Sequence, residues 1–395
     1  MSPAKLDRVV ITENPRLHPG ALCQHKIDEG LFRRFYGKDA TLFYFGRGAL
    51  WHAIRSLHLS ASDNVLVPSY HCGVEIEAVS MAGVRLRYYD VQEDFSIDLS
   101  DLHSRIDADT KAILLIHYFG FPQPVEAIKA ICTAGNITLV EDCSQALFSS
   151  FKGKPLGTFG DLAVFSQRKT LPLPDGGALL INNPSLTPDP PGNKPSNYVA
   201  VKKMIGMLFR SIFNLNPRNE LPYIFERMAA IINSRVARKE GSRYSTGMEV
   251  DSDRCSLDMS GPSRYIMDRT RIEPVIRRRR DNYLCLLRHL TGVPHFRIVR
   301  EQLPEGACPL FFPVRIEGVG RHVIQERLLR SGINGFVFGD ELHAGLPRNQ
   351  FRNAEMLSRE VLSLPVHQDL KPADMAYIAE TLRQAGRELD HADSH

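Results

Sequence analysis

The sequence predicts an α/β chain: a large domain built on a mostly parallel, buried sheet, then a small C-terminal α+β domain. Three observations predict it. Short apolar runs alternate with amphipathic segments from about residue 46 to 182. Those runs are continuous rather than alternating apolar with polar, as expected of strands covered on both faces. The last hundred residues then follow a strand, helix, strand, helix order. At 395 residues the chain is too long for one small core, and two domains are the natural division.

The elements follow in order. GRGALWHAIRSLHL (46–59) reads as a helix opened by glycines, and NVLVPSY (64–70) as a short strand stopped by Pro68. VEIEAVSMAG (74–83) is a helix closed by Gly83, and VRLRYYDV (84–91) a strand. LSDLHSRI (99–106) reads as a helix and KAILLIHYFG (111–120) as a buried strand. VEAIKAICTAG (125–135) is a helix with Gly135 as its stop. ITLVEDCS (137–144), LAVFS (162–166) and GALLIN (177–182) are three further strands. Ligands of such sheets collect at the carboxyl ends of strands, where Asp142, His117 and the Ser69–Cys72 segment fall.

Residues 183–197 are rich in proline, asparagine and serine and read as a loop. Two amphipathic stretches follow. Val201, Met204, Ile205, Leu208 and Ile212 share one helical face, and Leu221, Ile224, Phe225, Met228 and Ile231 share another. Packing on a core or on a partner subunit explains such a pair; a membrane-surface hairpin is the alternative. Residues 239–262 look irregular, and one long helix spans about 263–290. The chain divides into an N-terminal segment 1–40, a large domain 41–262 and a connecting helix with small domain 263–395.

Composition narrows the function. Net charge is only +4, so no broad nucleic-acid footprint follows. The run Arg277–Arg280 reads as a solvated helix face or a subunit contact, with attraction of an anionic substrate or lipid as the alternative. Seven cysteines without a CxxC pair argue against a disulfide framework and a cysteine-based zinc site, so no metal is expected. The first twenty residues lack a signal-peptide core, and no stretch approaches the roughly 20 apolar residues of a membrane span. A reducing cytoplasm is the default.

The most informative residue is Lys169, in FSQRKTLPLPDGGALLIN, 27 positions after Asp142 of LVEDCSQA. Taken alone, a lysine after a strand is a surface charge, and an aspartate there is a helix cap. Together they are what pyridoxal phosphate chemistry asks of a protein: an amine for the aldehyde and a carboxylate for the pyridine nitrogen.

In this order, the pieces resemble the DegT/StrS family of sugar aminotransferases, which are fold-type I pyridoxal phosphate enzymes. GRGALWHAI resembles the family's Gly-Thr-Ala-Ala-Leu helix start, and NVLVPSYHCGVEIEAVSMAG its Val-Pro-Ser segment. ITLVEDCSQAL is similar to Val-Ile-Glu-Asp-Ala-Ala-Gln-Ala, KGKPLGTFGDLAVFS to the family's Lys-Gly-Lys to Phe-Ser run, and LSLPVHQDL to Leu-Pro-Leu-His. The resemblance covers about 42–182 and 260–390. It implies a seven-stranded central sheet, a homodimer and a set of roles. Lys169 joins the cofactor's aldehyde, Asp142 pairs with the pyridinium and Gln145 bonds the phenolic oxygen. Arg47 and Gly48 offer backbone N–H groups to the phosphate, and Ser166 a hydroxyl. His117 is expected to pack or hydrogen-bond at its strand end rather than act directly.

The departures matter too. Ser166 and Lys169 are three residues apart where the family has five, so Gln167 or Arg168 can replace the serine at the phosphate. Cys72 stands where the family places an aromatic ring over the cofactor, and adjacent His71 is the expected stacking group. The family's Asn-Tyr-Arg segment, which reaches across the dimer, has no clear counterpart; the nearest stretch offers Ser260, Ser263 and Arg264. The insertion 185–250 is longer and more apolar than the family's connection.

The expected activity is transfer of an amino group, from glutamate, to a nucleotide-linked keto-sugar for polysaccharide or secondary-metabolite synthesis. Two alternatives stand: a pyridoxal phosphate transferase with a non-sugar substrate, and a non-catalytic regulator that keeps the fold. Dehydratases of the family replace the lysine by histidine, which Lys169 argues against.

Overall fold

The computed structural model describes residues 11–213 and 252–392. The second amphipathic stretch, Leu221 to Ile231, and most of the segment read as irregular lie outside the described residues.

Short helices α1 (Pro19–Leu22) and α2 (Leu31–Tyr36) precede a seven-stranded sheet. Its strands are β1 (Thr41–Phe43), β2 (Asn64–Pro68), β3 (Arg85–Tyr89), β4 (Thr110–Ile116), β5 (Thr138–Asp142), β8 (Leu162–Phe165) and β9 (Gly177–Ile181). A small hairpin of β6 (Ser150–Phe151) and β7 (Lys154–Pro155) lies between β5 and β8. The spatial order is β1-β9-β8-β5-β4-β2-β3. From β3 across to β8 all neighbours are parallel; β9 runs antiparallel to β8, and β1 antiparallel to β9.

All five residues of β2 are buried, and β4 is buried from Ala112 to Ile116. Successive residues point to opposite faces and are buried on both, which is why these strands read as unbroken apolar runs. Burying Ile113, Leu114 and Leu115 contributes roughly 1.5–3 kcal/mol each. Three helices from this part of the chain matter below: α3 (Gly46–Arg55), α4 (Gly73–Ser80) and α7 (Gln167–Thr170); α5 (Leu99–Ser104) and α6 (Val125–Gly135) lie between α4 and α7. The stop of α6 is Asn136, left-handed at φ 51°, rather than Gly135. Asparagine tolerates that conformation, so the glycine one residue earlier misled.

Strands β10 (Phe296–Ile298), β11 (Phe311–Ile316) and β12 (Val361–Pro365) form a separate antiparallel sheet. Helices Arg321–Arg330, Arg352–Glu360 and Pro372–Ala392 accompany it. The long helix expected at 263–290 is two, Gly261–Met267 and Ile272–Leu290. The physical reason is Pro274: its ring would strike the carbonyl four residues back if the helix ran through. Ser260 instead caps the first helix, its hydroxyl accepting the Ser263 N–H.

The arginine run also differs from expectation. Arg277 and Arg278 are exposed, but Arg279 is 1% exposed. It shares the buried face of its helix with Val275, Asn282, Tyr283 and Leu286.

Helix α8 (Asn197–Phe213) carries the first amphipathic stretch. Its expected face splits. Met204 and Leu208 pack on the core with Met207, while Ile205 and Ile212 are 58% and 60% exposed. No described helix is long and apolar enough to cross a membrane.

Candidate active site

Asp142 is the last residue of β5, and Val164 lies beside it on β8. The chain leaves β8 at Phe165, turns at Ser166 into α7 and brings Lys169 over the same sheet edge. The start of α3 arrives from the other side. A Cβ on Gly177 would lie 2.2 Å from the Phe45 carbonyl oxygen, and one on Gly48 2.5 Å from that of Cys255. Only glycine allows the backbones this close, so the helix start is pressed onto the site.

The result is a recess of about 150 Å³. Phe45, Gly46, Arg47 and Leu50 of the α3 start form one wall, and Cys72, Val74 and Glu75 of the α4 start another. Asp142, Ser144, Val164, Ser166, Arg168 and Lys169 complete it.

The Lys169 Nζ donates to Oε1 of Glu75 at 3.3 Å. The other Glu75 oxygen, Oε2, accepts the Cys72 N–H at 3.4 Å and so closes a capping box on α4. Burial pushes the Glu75 carboxyl up to about 7; Lys169 opposes that rise and Asp142 adds to it. Burial, then Glu75, pushes the Cys72 thiol up to about 11. Asp142 is buried and accepts the Ser144 N–H at Oδ1, 2.7 Å away.

Arg168 lies on the wall beside the α3 start. Burial lowers its pKa, against the pull of Tyr44 and Asp175. Behind it, Lys203 of α8 donates to the Tyr44 hydroxyl at 3.1 Å and is pushed down by burial to about 8.

The structure brings Lys169, Asp142, Arg47, Ser166 and Cys72 together around the recess. Gly48, Gln145 and His71 are not among its lining residues. The Gly48 N–H turns back to the Phe45 carbonyl at 3.1 Å, and Gly46 takes the lining position. Gln145 accepts the Phe119 N–H at Oε1, 3.0 Å away, while its buried Nε2 has no hydrogen-bond partner among the described residues. Both His71 nitrogens are engaged: Nδ1 with the Pro68 carbonyl at 2.9 Å, Nε2 accepting the His343 N–H at 2.9 Å. That pattern puts the proton on Nδ1, and burial lowers the ring's pKa to about 4.

His117 packs behind the edge. Its Nε2 lies 3.1 Å from Glu141, and its Nδ1 accepts the Gln123 N–H. Glu141 also takes the N–H groups of Gly157, Phe159 and Gly160. His117, Glu141 and Cys143 lie within 4.8 Å of one another, but these bonds commit the Glu141 oxygens to holding the 157–160 loop.

Sequence reading missed two residues. Glu75 had a signal: an acid three residues after the N-cap. Arg279 had a weaker one, its place on the apolar stripe of its helix. Its guanidinium donates to the Pro309, Leu310 and Thr170 carbonyls at 3.2, 3.0 and 3.0 Å and to Gln368 at 3.0 Å. Gln368 Nε2 joins it on the Thr170 carbonyl at 3.0 Å. The residue after Lys169 is thus clamped from the C-terminal part of the chain. Ser260 and Ser263, by contrast, bond Asp175, and Arg264 bonds Asp258.

The family model of the DegT/DnrJ/EryC1/StrS aminotransferases matches residues 29–189 and 268–383. The chain belongs to that family. Residues 190–267 fall outside the match. A GDP-perosamine synthase of Escherichia coli O157:H7 is 33% identical over 150 residues, 37% of this chain and 41% of the relative. A dTDP-4-dehydro-2,3,6-trideoxy-D-glucose 4-aminotransferase of Saccharopolyspora spinosa is 35% identical over 164 residues, 40% of this chain and 43% of the relative. These matches therefore span about two fifths of those relatives' length. Among solved structures, the aminotransferase TlmJ from Streptoalloteichus hindustanus superposes with a TM-score of 0.67 at 21% identity, covering 97% of this chain and 99% of that one. The fold is that of the fold-type I enzymes, with the seven-stranded, mostly parallel sheet.

Proposed function

We propose that the recess binds pyridoxal phosphate and that the chain is an aminotransferase acting on a nucleotide-linked keto-sugar. One observation carries the reading: Lys169 and Asp142, 27 residues apart, open onto one recess beside the start of a helix. The donor set fits the cofactor. Asp142 offers a buried carboxylate on a strand end for the ring nitrogen, where a charge-assisted hydrogen bond is strong. The α3 start and the Arg168 guanidinium offer backbone donors and a cation for the phosphate. Gln145 Nε2, buried and without a partner among the described residues, is a donor of the kind a phenolic oxygen needs.

Bound there, pyridoxal phosphate supplies an aldehyde that condenses with amines and a ring that accepts electrons from the adjoining carbon. The protein's own work is then to place and move protons. Asp142 would hold a proton at the ring nitrogen, and Lys169 Nζ, as a free amine, would take a proton from the nitrogen-bearing carbon of the substrate and return it to the former aldehyde carbon on the other side of that nitrogen. The Arg279 clamp on Thr170 holds the Lys169 turn in place.

A nucleotide-sugar acceptor is the substrate this reading favours, in line with the activities of the relatives, and glutamate is the amino donor that the family resemblance implies. The same reading divides the chain at 40 and 262, supported by the two separate sheets, and makes it a homodimer, supported by the exposed apolar residues of α8. A reducing, cytoplasmic setting accords with seven unbridged cysteines. The test is a half-reaction. Protein loaded with the cofactor should show a visible absorbance band that Lys169→Ala abolishes and that an amino donor bleaches. A colourless protein that ignores added cofactor would instead favour a regulator.

A further inference from the structure

We propose that Glu75 governs Lys169: its carboxylate holds the ammonium in the recess and takes up the proton that Nζ must shed before acting as nucleophile or base. The proposal rests on the aminotransferase reading of Lys169. Glu75 stands in the first turn of α4, tied at Oε2 to the N-cap N–H, which leaves Oε1 turned to Nζ at 3.3 Å. Both side chains are withdrawn from solvent, Glu75 at 12% and Lys169 at 25% exposure.

The groups facing Glu75 come from several elements. They are Lys169 of α7, Asp142 of β5, the Cys72 thiol at the cap of α4 and Tyr118 after β4. Arg47 and Arg168 stand on the recess wall as well. Asp142 is the acid of the ring nitrogen in this reading, so Glu75 is the acid left to touch the amine. The transfer balances: an Nζ–H bond breaks, an Oε1–H bond forms and no net charge leaves the recess. Burial penalises the ion pair and raises the Glu75 carboxyl to about 7, so the transfer costs less here than it would to an exposed carboxylate.

Glutamine separates this role from capping. It keeps an acceptor for the Cys72 N–H but carries no charge. Competitive acetylation of the cofactor-free protein across pH, with peptide mapping, reads the reactivity of Lys169 against exposed Lys371. In Glu75→Gln the Lys169 profile should move down by about one to three pH units, the effect of removing an opposite charge at this distance. The Lys371 profile should stay in place. Glu75→Asp, which withdraws the same charge by one carbon, should give a smaller downward shift. Lys169 profiles that coincide with wild type in both variants overturn the proposal. In loaded protein the pH midpoint of the visible band should fall in the same direction. If wild type gains no such band, the aminotransferase reading fails, while the acetylation profiles still decide separately whether Glu75 and Lys169 are coupled.

Discussion

Each polar group of the recess has a job only in company. Asp142 without Lys169 is a capped strand end, and Lys169 without Asp142 is a half-buried cation on Glu75. Removing the amine, Lys169→Ala, should erase the visible band and lower turnover by about 10²–10⁴-fold or more. Asp142→Ala should leave the band and remove nearly all turnover; full activity in a half-reaction assay would take Asp142 out of the mechanism. Arg168→Ala should weaken cofactor binding by about ten- to a hundredfold, the worth of one charge-assisted hydrogen bond, as read by titration of the cofactor-free protein. Lys169 and Asp142 were legible as a pair because an acid at the end of one strand and an amine just past another stand out chemically. Glu75 was not, because a glutamate in a first helical turn has an ordinary explanation as a capping residue. That explanation is correct for one of its oxygens and silent about the other.

At the scale of elements, the clamp on α7 is the feature that ties chemistry to architecture. A four-residue helix has little stability of its own. Its last carbonyl, on Thr170, is held by Arg279 and Gln368, which come from the helix Ile272–Leu290 and the segment after β12. Arg279→Leu should cost about 2–3 kcal/mol, since buried carbonyls lose their donors. A denaturant melt checks that, and reduced trapping of Lys169 by the cofactor in the surviving folded protein checks the clamp. The strands were legible in the sequence because β2, β4 and β5 are buried on both faces and read as apolar runs. Three-residue β1 and β10 carry too few residues to show a period. The split at Pro274 was written in the sequence but masked by apolar spacing that continues across it.

Across the whole molecule, buried titratable groups set how stability responds to acid. His71 and His367 are buried, and burial lowers both to about 4, from an ordinary value near 6.5. Between those values the unfolded chain takes up protons that the folded one refuses. Each histidine therefore withdraws about 3 kcal/mol of stability as pH falls from 6.5 to 4. Glu75 runs the other way. Raised to about 7, it is protonated in the folded chain before the unfolded one, so it adds stability as pH falls from 7 toward 4.5. Urea melts at pH 7, 6 and 5 should thus show a steeper loss in Glu75→Gln than in wild type; equal slopes would mean the Glu75 carboxyl is not raised. Sedimentation should find a dimer, and Ile205→Glu with Ile212→Glu should weaken it; an active strict monomer would refute the subunit assignment.

The sequence by itself determined the α/β class, the order of the main strands and helices and the amine and acid that come to line one recess. It could do so because burial on both faces and paired reactive groups are local patterns along the chain. Only the tertiary structure decided which neighbours those residues meet. It turned His71 onto Pro68 and His343, sank one arginine of a basic run beneath the lysine's turn and set a second acid against the amine. The contacts with His343, Thr170 and Glu75 join segments 94 to 272 residues apart. No period or spacing along the chain records them, because they arise from how strands and helices stack in space.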